Sequence, residues 1–216
     1  MLEEFQKQFL DLVIENRVLQ FGRFKLKSGR ISPYFFNAGL INTGESLGRL
    51  GDFYAEALAR SGIDYDMLFG PAYKGIPLVS TTAIAVARRE GRPVPWAFNR
   101  KEVKDHGEGG RLVGAPIQGK VVIVDDVITA GTAIREVMEI LEETDARVVG
   151  ILVAIDRQER GTGKLSAFQE VERDYGVHVI NVIALQDIIE YVRRDKDLAE
   201  QHEAIEHYRG EYGIVC

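Results

Sequence analysis

Cysteine is nearly absent: the 216-residue chain has one, Cys216. A lone thiol closes no intramolecular bridge, and at the end of the chain it is poorly placed as a fixed nucleophile. Disulfide scaffolds and cysteine catalysis are therefore set aside, and a reducing, cytoplasmic location is the expectation. Long apolar runs are also lacking. The longest lies near Val148–Ile155 and is far short of the roughly 20 residues of a membrane helix. The opening MLEEFQKQF is acidic early and has no apolar leader segment, so neither a signal peptide nor a membrane partner is expected. Positive charge is in deficit, with 27 Lys and Arg against 33 Asp and Glu and a net charge of -6. That balance disfavours a general nucleic-acid surface. No G-x-x-x-x-G-K-[ST] run occurs, and GTGKLS from Gly161 lacks the last glycine of a dinucleotide fingerprint. There is no internal repeat, low-complexity tract or obvious linker.

What is present is an ordinary globular composition, 45% hydrophobic and 28% charged, in a chain long enough for one α/β domain with a full core. Leu2, Phe5, Phe9, Leu12 and Val13 recur at helical spacing. FGRFKLKSGRISPYFFNAG then reads as short strands and a turn. Leu47, Leu50, Tyr54, Ala57 and Leu58 form a second helical stripe, stopped at Gly62. From about residue 65 strands and helices alternate. Strands are expected at DMLFG, VPWAFNRK, KVVIVDDV, RVVGILVAID and HVINVIAL, with helices over about 76–89, over TAIREVMEILEE and up to Tyr175. A charged helical tail closes the chain. Strands apolar on both faces and alternating with helices predict a parallel sheet covered on both sides. Residues 1 to about 64 read as a smaller addition to a core over about 65–216, the whole forming one domain.

The densest signal is VVIVDDVITAGTA, Val121–Ala133. A buried strand runs into Asp125 and Asp126, at the strand end where open parallel sheets bind ligands. Thr129–Thr132 turn into the next helix, so backbone N–H groups point outward without intrahelical partners and form an anion cradle. Gly131 lets the backbone approach closely, and Thr129 and Thr132 offer hydroxyls. Ionised carboxylates accept hydrogen bonds and repel phosphate. The pair therefore suits ribose hydroxyls, or a hydrated cation, beside a phosphate in the turn. The bland alternative is that the aspartates only cap the helix.

This stretch resembles the phosphoribosyl pyrophosphate (PRPP) signature of type I phosphoribosyltransferases. Three further segments, LKSGRISPYFFNAG (Leu26–Gly39), FGPAYKGIP (Phe69–Pro77) and FNRKEVKDHGEGG (Phe98–Gly110), together with DRQERG (Asp156–Gly161), resemble orotate phosphoribosyltransferase of the bacterial type. The resemblance covers most of the chain in order. It implies transfer of the phosphoribosyl group from PRPP to orotate, giving orotidine 5′-monophosphate and pyrophosphate, with Mg2+ as cofactor. It also implies a type I phosphoribosyltransferase fold with a small N-terminal hood, and a homodimer whose lid loop is shared across the interface.

Residue by residue, the resemblance implies that Asp125, Asp126, Val127, Ile128, Thr129, Ala130, Gly131, Thr132 and Ala133 bind PRPP. Tyr73, Lys74, Arg100, Lys101, Lys104 and His106 go to the pyrophosphate side. On local sequence alone Lys74 is a solvated loop lysine, and the resemblance reverses this. Lys27 lies between both substrates. Phe35, Phe36, Thr129 and Arg157 contact orotate. Phe35 and Phe36 are adjacent on a strand and so point to opposite faces, which leaves one ring at most to stack on a flat base. Lys104, His106, Asp125 and Asp126 are the expected catalytic residues, Lys104 with the largest rate effect. His106 either protonates the leaving group or only donates a hydrogen bond. Gly107, Gly109 and Gly110 predict a mobile lid that excludes water, although a solvated, charge-mixed hairpin is the plain alternative. Magnesium is expected mainly on PRPP oxygens and water, near Asp125 and Asp126. Ile31 stands where a lysine is expected from the family pattern, at a position with no assigned contact. The rivals are a purine phosphoribosyltransferase, which needs neither PYFFNAG nor DRQERG, a PRPP-sensing regulator that binds nucleic acid, and a scaffold protein.

Overall fold

The computed structural model describes residues 2–26, 28–104, 110–128, 132–161 and 163–214, without the side chains of residues 103, 104 and 132. Six strands form the main sheet: β3 (Met67–Gly70), β4 (Trp96–Lys104), β5 (Gly110–Gly114), β6 (Gln118–Val124), β7 (Asp145–Asp156) and β8 (His178–Ala184). Their spatial order is β5-β4-β3-β6-β7-β8. All neighbours run parallel except β4 and β5, which pair antiparallel. The alternation predicted a parallel sheet, and β5 adds one antiparallel edge to it. GRLVG is too short and too glycine-bounded to read as a strand in isolation; its pairing with β4 makes it one.

Each strand of the parallel core is apolar on both faces because both faces are covered. Along β6, Val122 and Val124 enter one core cluster while Val121 and Ile123 enter the other. The first cluster contains Leu50, Tyr54 and Leu58 of α2 (Gly44–Ser61), together with Val79, Ala83 and Val86 of α3 (Gly75–Glu90). The second contains Ile134, Val137 and Leu141 of α4 (Thr132–Glu142), with Phe168 and Val171 of α5 (Ala167–Tyr175). The stripes read in the sequence are these buried faces. Thr43 caps α2 by accepting from Ser46 N–H, and Gly62 ends it in a left-handed turn, φ 67°.

The hood consists of α1 (Glu4–Glu15) and an antiparallel hairpin of β1 (Leu19–Lys25) and β2 (Ile31–Phe36). At the other end come α6 (Leu185–Arg193) and α7 (Ala199–Tyr212). Tyr34 of β2 meets Tyr208 of α7 edge-on, at 6.3 Å between ring centroids. The charged tail thus packs back onto the hood. No helix among the described residues is long and apolar enough to cross a membrane.

Candidate active site

The strand order reverses between β3 and β6: from β3 the chain crosses to β4 on one side and later returns to place β6 on the other. Open α/β sheets bind ligands in the crevice beyond such a switch point. Here the crevice lies between the loop after Gly70 and the residues after Val124. Those are the FGPAYKGIP and DDVITAGTA segments.

Glycine is required on the β3 side. A Cβ on Gly75 would lie 2.5 Å from Pro71 Cδ and 2.9 Å from the Val124 carbonyl oxygen. A larger residue would force this loop away from the end of β6. The Ala72–Tyr73 peptide is cis, and Ala72 N–H donates to Oδ1 of the buried Asn99 at 3.0 Å. The loop presents Lys74 across the crevice. Its Nζ donates to Asp126 Oδ2 at 2.6 Å. Tyr73 is 66% exposed, and Lys101 Nζ lies 5.2 Å from its ring centroid.

Asp125 and Asp126 are both buried, at 8% and 6% exposure. The backbone holds them. Asp126 N–H donates to Asp125 Oδ1 and Val127 N–H donates to Asp126 Oδ1, each at 2.9 Å. The Tyr54 hydroxyl donates to the Asp125 carbonyl at 3.0 Å. Burial, reinforced by the neighbouring Asp126 charge, raises the Asp125 pKa to about 7, with Lys74 opposing the rise. Between roughly pH 4 and pH 7 the folded protein therefore holds a proton that the unfolded chain releases. Stability contributed by the neutral acid is lost as pH rises through that window. Without ligand, Asp125→Asn is expected to flatten the fall in urea midpoint between pH 5 and pH 8. Equal slopes in the two proteins would remove Asp125 as the source.

The hood closes one side. Ala38 and Ile41 line a cavity of about 180 Å³ together with Lys74 and Pro77. Phe36 is buried, while Phe35 is 37% exposed and stacks on Phe24 at 5.5 Å, on the face of β2 opposite Tyr34. A larger cavity of about 310 Å³ lies between the hairpin and α7. It touches none of Lys74, Asp125 and Asp126, so chemistry rather than size marks the site.

A carboxylate pair beside a lysine at a switch point can hold a ribose with its phosphates. Similarity to known proteins decides the family. A phosphoribosyl transferase domain family model matches residues 40–179. An orotate phosphoribosyltransferase of Pseudomonas aeruginosa is 59% identical over 99% of this chain and all of its own length. That of Thioalkalivibrio sulfidiphilus is 60% identical over the same shares. The chain belongs to the orotate phosphoribosyltransferases. A crystal structure of the orotate phosphoribosyltransferase of Francisella tularensis matches with TM-score 0.87 and 43% identity, covering 95% of this chain and 99% of that one.

Among the PRPP-signature residues, Val127 forms a parallel bridge with Ile155, and Ile128 is buried in the second core cluster. These two hold the strand end through backbone and core contacts. Ala133 is exposed at the start of α4. Lys27, His106, Thr129, Ala130 and Gly131 lie outside the described residues, as do the side chains of Lys104 and Thr132. The predicted lid spans β4, β5 and residues 105–109, the last also outside the described residues. Lys104 is the final residue of β4 and is opposite Gly110. Arg100 Nη1 donates to the Gly110 carbonyl at 3.3 Å.

Arg157 follows β7 directly, two residues beyond Ile155, which faces Val127. Its guanidinium lies over the Tyr34 ring at 4.4 Å and pairs with Glu159 at 2.6 Å. The sequence reading missed Glu159, Tyr34 and Asn99. A polar residue inside DRQERG or PYFF is visible in sequence, but its partner more than a hundred positions away is not.

Proposed function

We propose that the switch-point crevice is where this chain transfers the 5-phosphoribosyl group from PRPP to orotate, giving orotidine 5′-monophosphate and pyrophosphate. The observation that carries the reading is the Lys74–Asp126 contact of 2.6 Å, which joins a cation and a carboxylate at the switch point. The ribose hydroxyls take Asp125 and Asp126 as acceptors. The 5-phosphate takes the turn 129–132. Lys74 leaves Asp126 for a phosphate oxygen as PRPP binds. The bond from the anomeric carbon to pyrophosphate breaks and a bond to a ring nitrogen of orotate forms, through an oxocarbenium-like state. The protein's main task is to neutralise the leaving pyrophosphate and to exclude water. Tyr73, Arg100, Lys101, Lys104 and His106 serve the first task, and the lid between β4 and β5 serves the second. Lys27 lies between the two substrates, and Phe35, the Phe36 backbone and Arg157 form the orotate edge. Hood and core act as one domain in this scheme.

The carboxylates suit magnesium held chiefly by substrate. Among the described residues no group of three or more His, Cys, Asp or Glu side chains could cage an ion. Asp126 engages Val127 and Lys74 through its two oxygens, whereas Asp125 Oδ2 has no partner among the described residues. Asp125 and Asp126 would accept from water bound to the ion. When bound, the ion screens the pyrophosphate charge.

The test is consumption of orotate with parallel pyrophosphate release, using PRPP, magnesium and a panel of hypoxanthine, guanine, adenine and uracil. Orotate loss with stoichiometric pyrophosphate, and no turnover of the others, is expected. Turnover of a purine instead would overturn the assignment of the base. A homodimer with the lid acting across its interface makes a separate prediction. Mixed dimers of Lys104→Ala and Asp126→Ala subunits should recover activity at one of two hybrid sites. Demonstrated heterodimers without recovery would count against sharing.

A further inference from the structure

The Arg157 side chain is largely buried and is held from three directions. Its Nε donates to Glu159 Oε1 at 2.9 Å. Its Nη2 lies 2.6 Å from the same oxygen and donates to Ser32 Oγ at 3.2 Å. Its face rests on Tyr34. Nε and Nη2 are therefore engaged, and the buried Tyr208 hydroxyl lies against the same Arg157–Glu159 pair. Glu159 is fixed in turn. The Tyr34 hydroxyl donates to its Oε1 at 3.2 Å, and Arg30 lies 3.7 Å from Oε2. Burial pushes the Tyr34 phenol well up in pKa, so it remains a donor. The backbone of the same loop is tied to the tail: Arg160 N–H donates to the Tyr212 carbonyl at 2.8 Å, and Ile214 N–H to the Gln158 carbonyl at 2.9 Å.

We infer that Glu159 is the positioning residue for Arg157, locking Nε and Nη2 so that the guanidinium meets orotate in one orientation; this rests on the reading of Arg157 as an orotate contact. Glu159 does not touch substrate. Two guanidiniums, Arg30 and Arg157, flank the Glu159 carboxylate. Without Glu159, the buried guanidinium would have several orientations to choose from, and ordering it would fall to orotate binding.

Glu159→Gln keeps the size and one acceptor but removes the charge. It is expected to raise the orotate KM about tenfold or more, as befits loss of a charged hydrogen bond, while the KM for PRPP and kcat at saturating orotate stay near wild type. Tyr34→Phe keeps the ring beneath Arg157 and is expected to raise the orotate KM in the same direction by a smaller factor. In an Arg157→Ala background neither change should add a further rise. Three results would overturn the inference: an unchanged orotate KM in folded Glu159→Gln, an equal rise in both substrate KM values, or a persisting effect in the Arg157→Ala background. If Glu159→Gln fails to fold, the Tyr34→Phe comparison decides. An unchanged orotate KM in Arg157→Ala alone would sink the underlying contact, a result distinct from failure of the positioning role.

Discussion

Lys104→Ala is expected to lower turnover by about 10²- to 10³-fold, the loss typical of removing one donor aimed at developing charge. Lys104 is the last residue of β4, which pairs with β3 in the sheet and with β5 across the ribbon. If Lys104 serves the leaving pyrophosphate as proposed, the effect should fall on kcat while the orotate KM changes little. Steady-state rates with each substrate varied, together with single-turnover measurement of pyrophosphate release, would separate the two. Unchanged turnover would remove Lys104 from the mechanism.

Asp126→Asn should lower kcat/KM for PRPP by about 10- to 150-fold, since hydrogen bonds to charged groups contribute about 1.5–3 kcal/mol. The amide can keep the acceptor that takes Val127 N–H, so the strand end need not collapse. What it loses is the charge that partners Lys74 and that, in the proposed reading, accepts from ribose hydroxyls. The melting temperature checks the first point. An undiminished kcat/KM in a folded variant would reduce Asp126 to a holder of the loop.

The site was most legible where one continuous segment carries the chemistry. In VVIVDDVITAGTA the strand, the acidic pair and the turn follow one another, so local order and spatial order coincide. The helices were legible because their stripes are long: the buried face of α2 runs from Leu50 to Leu58. Two features escaped. β5 is a strand only because β4 offers its edge, a tertiary effect that five residues cannot announce. The support of Arg157 escaped because it is assembled from distant pieces. Ser32 and Tyr34 each stand 125 positions from their partners, Arg157 and Glu159. No periodicity or local spacing encodes such pairs. The resemblance could carry over Arg157, but it did not supply what holds Arg157 still.

The ties from Arg160 and Gln158 to Tyr212 and Ile214 also have a consequence for biosynthesis. A nascent chain emerges N-terminus first. The Lys74–Asp126 crevice needs the chain as far as β7, where Leu152 accepts from Asp125 N–H and Ala154 N–H donates to the Asp126 carbonyl, whereas the loop bearing Arg157 gains its last backbone partners only after residue 214 has been made. The crevice can therefore take shape on the ribosome before the loop that carries Arg157 is tied down.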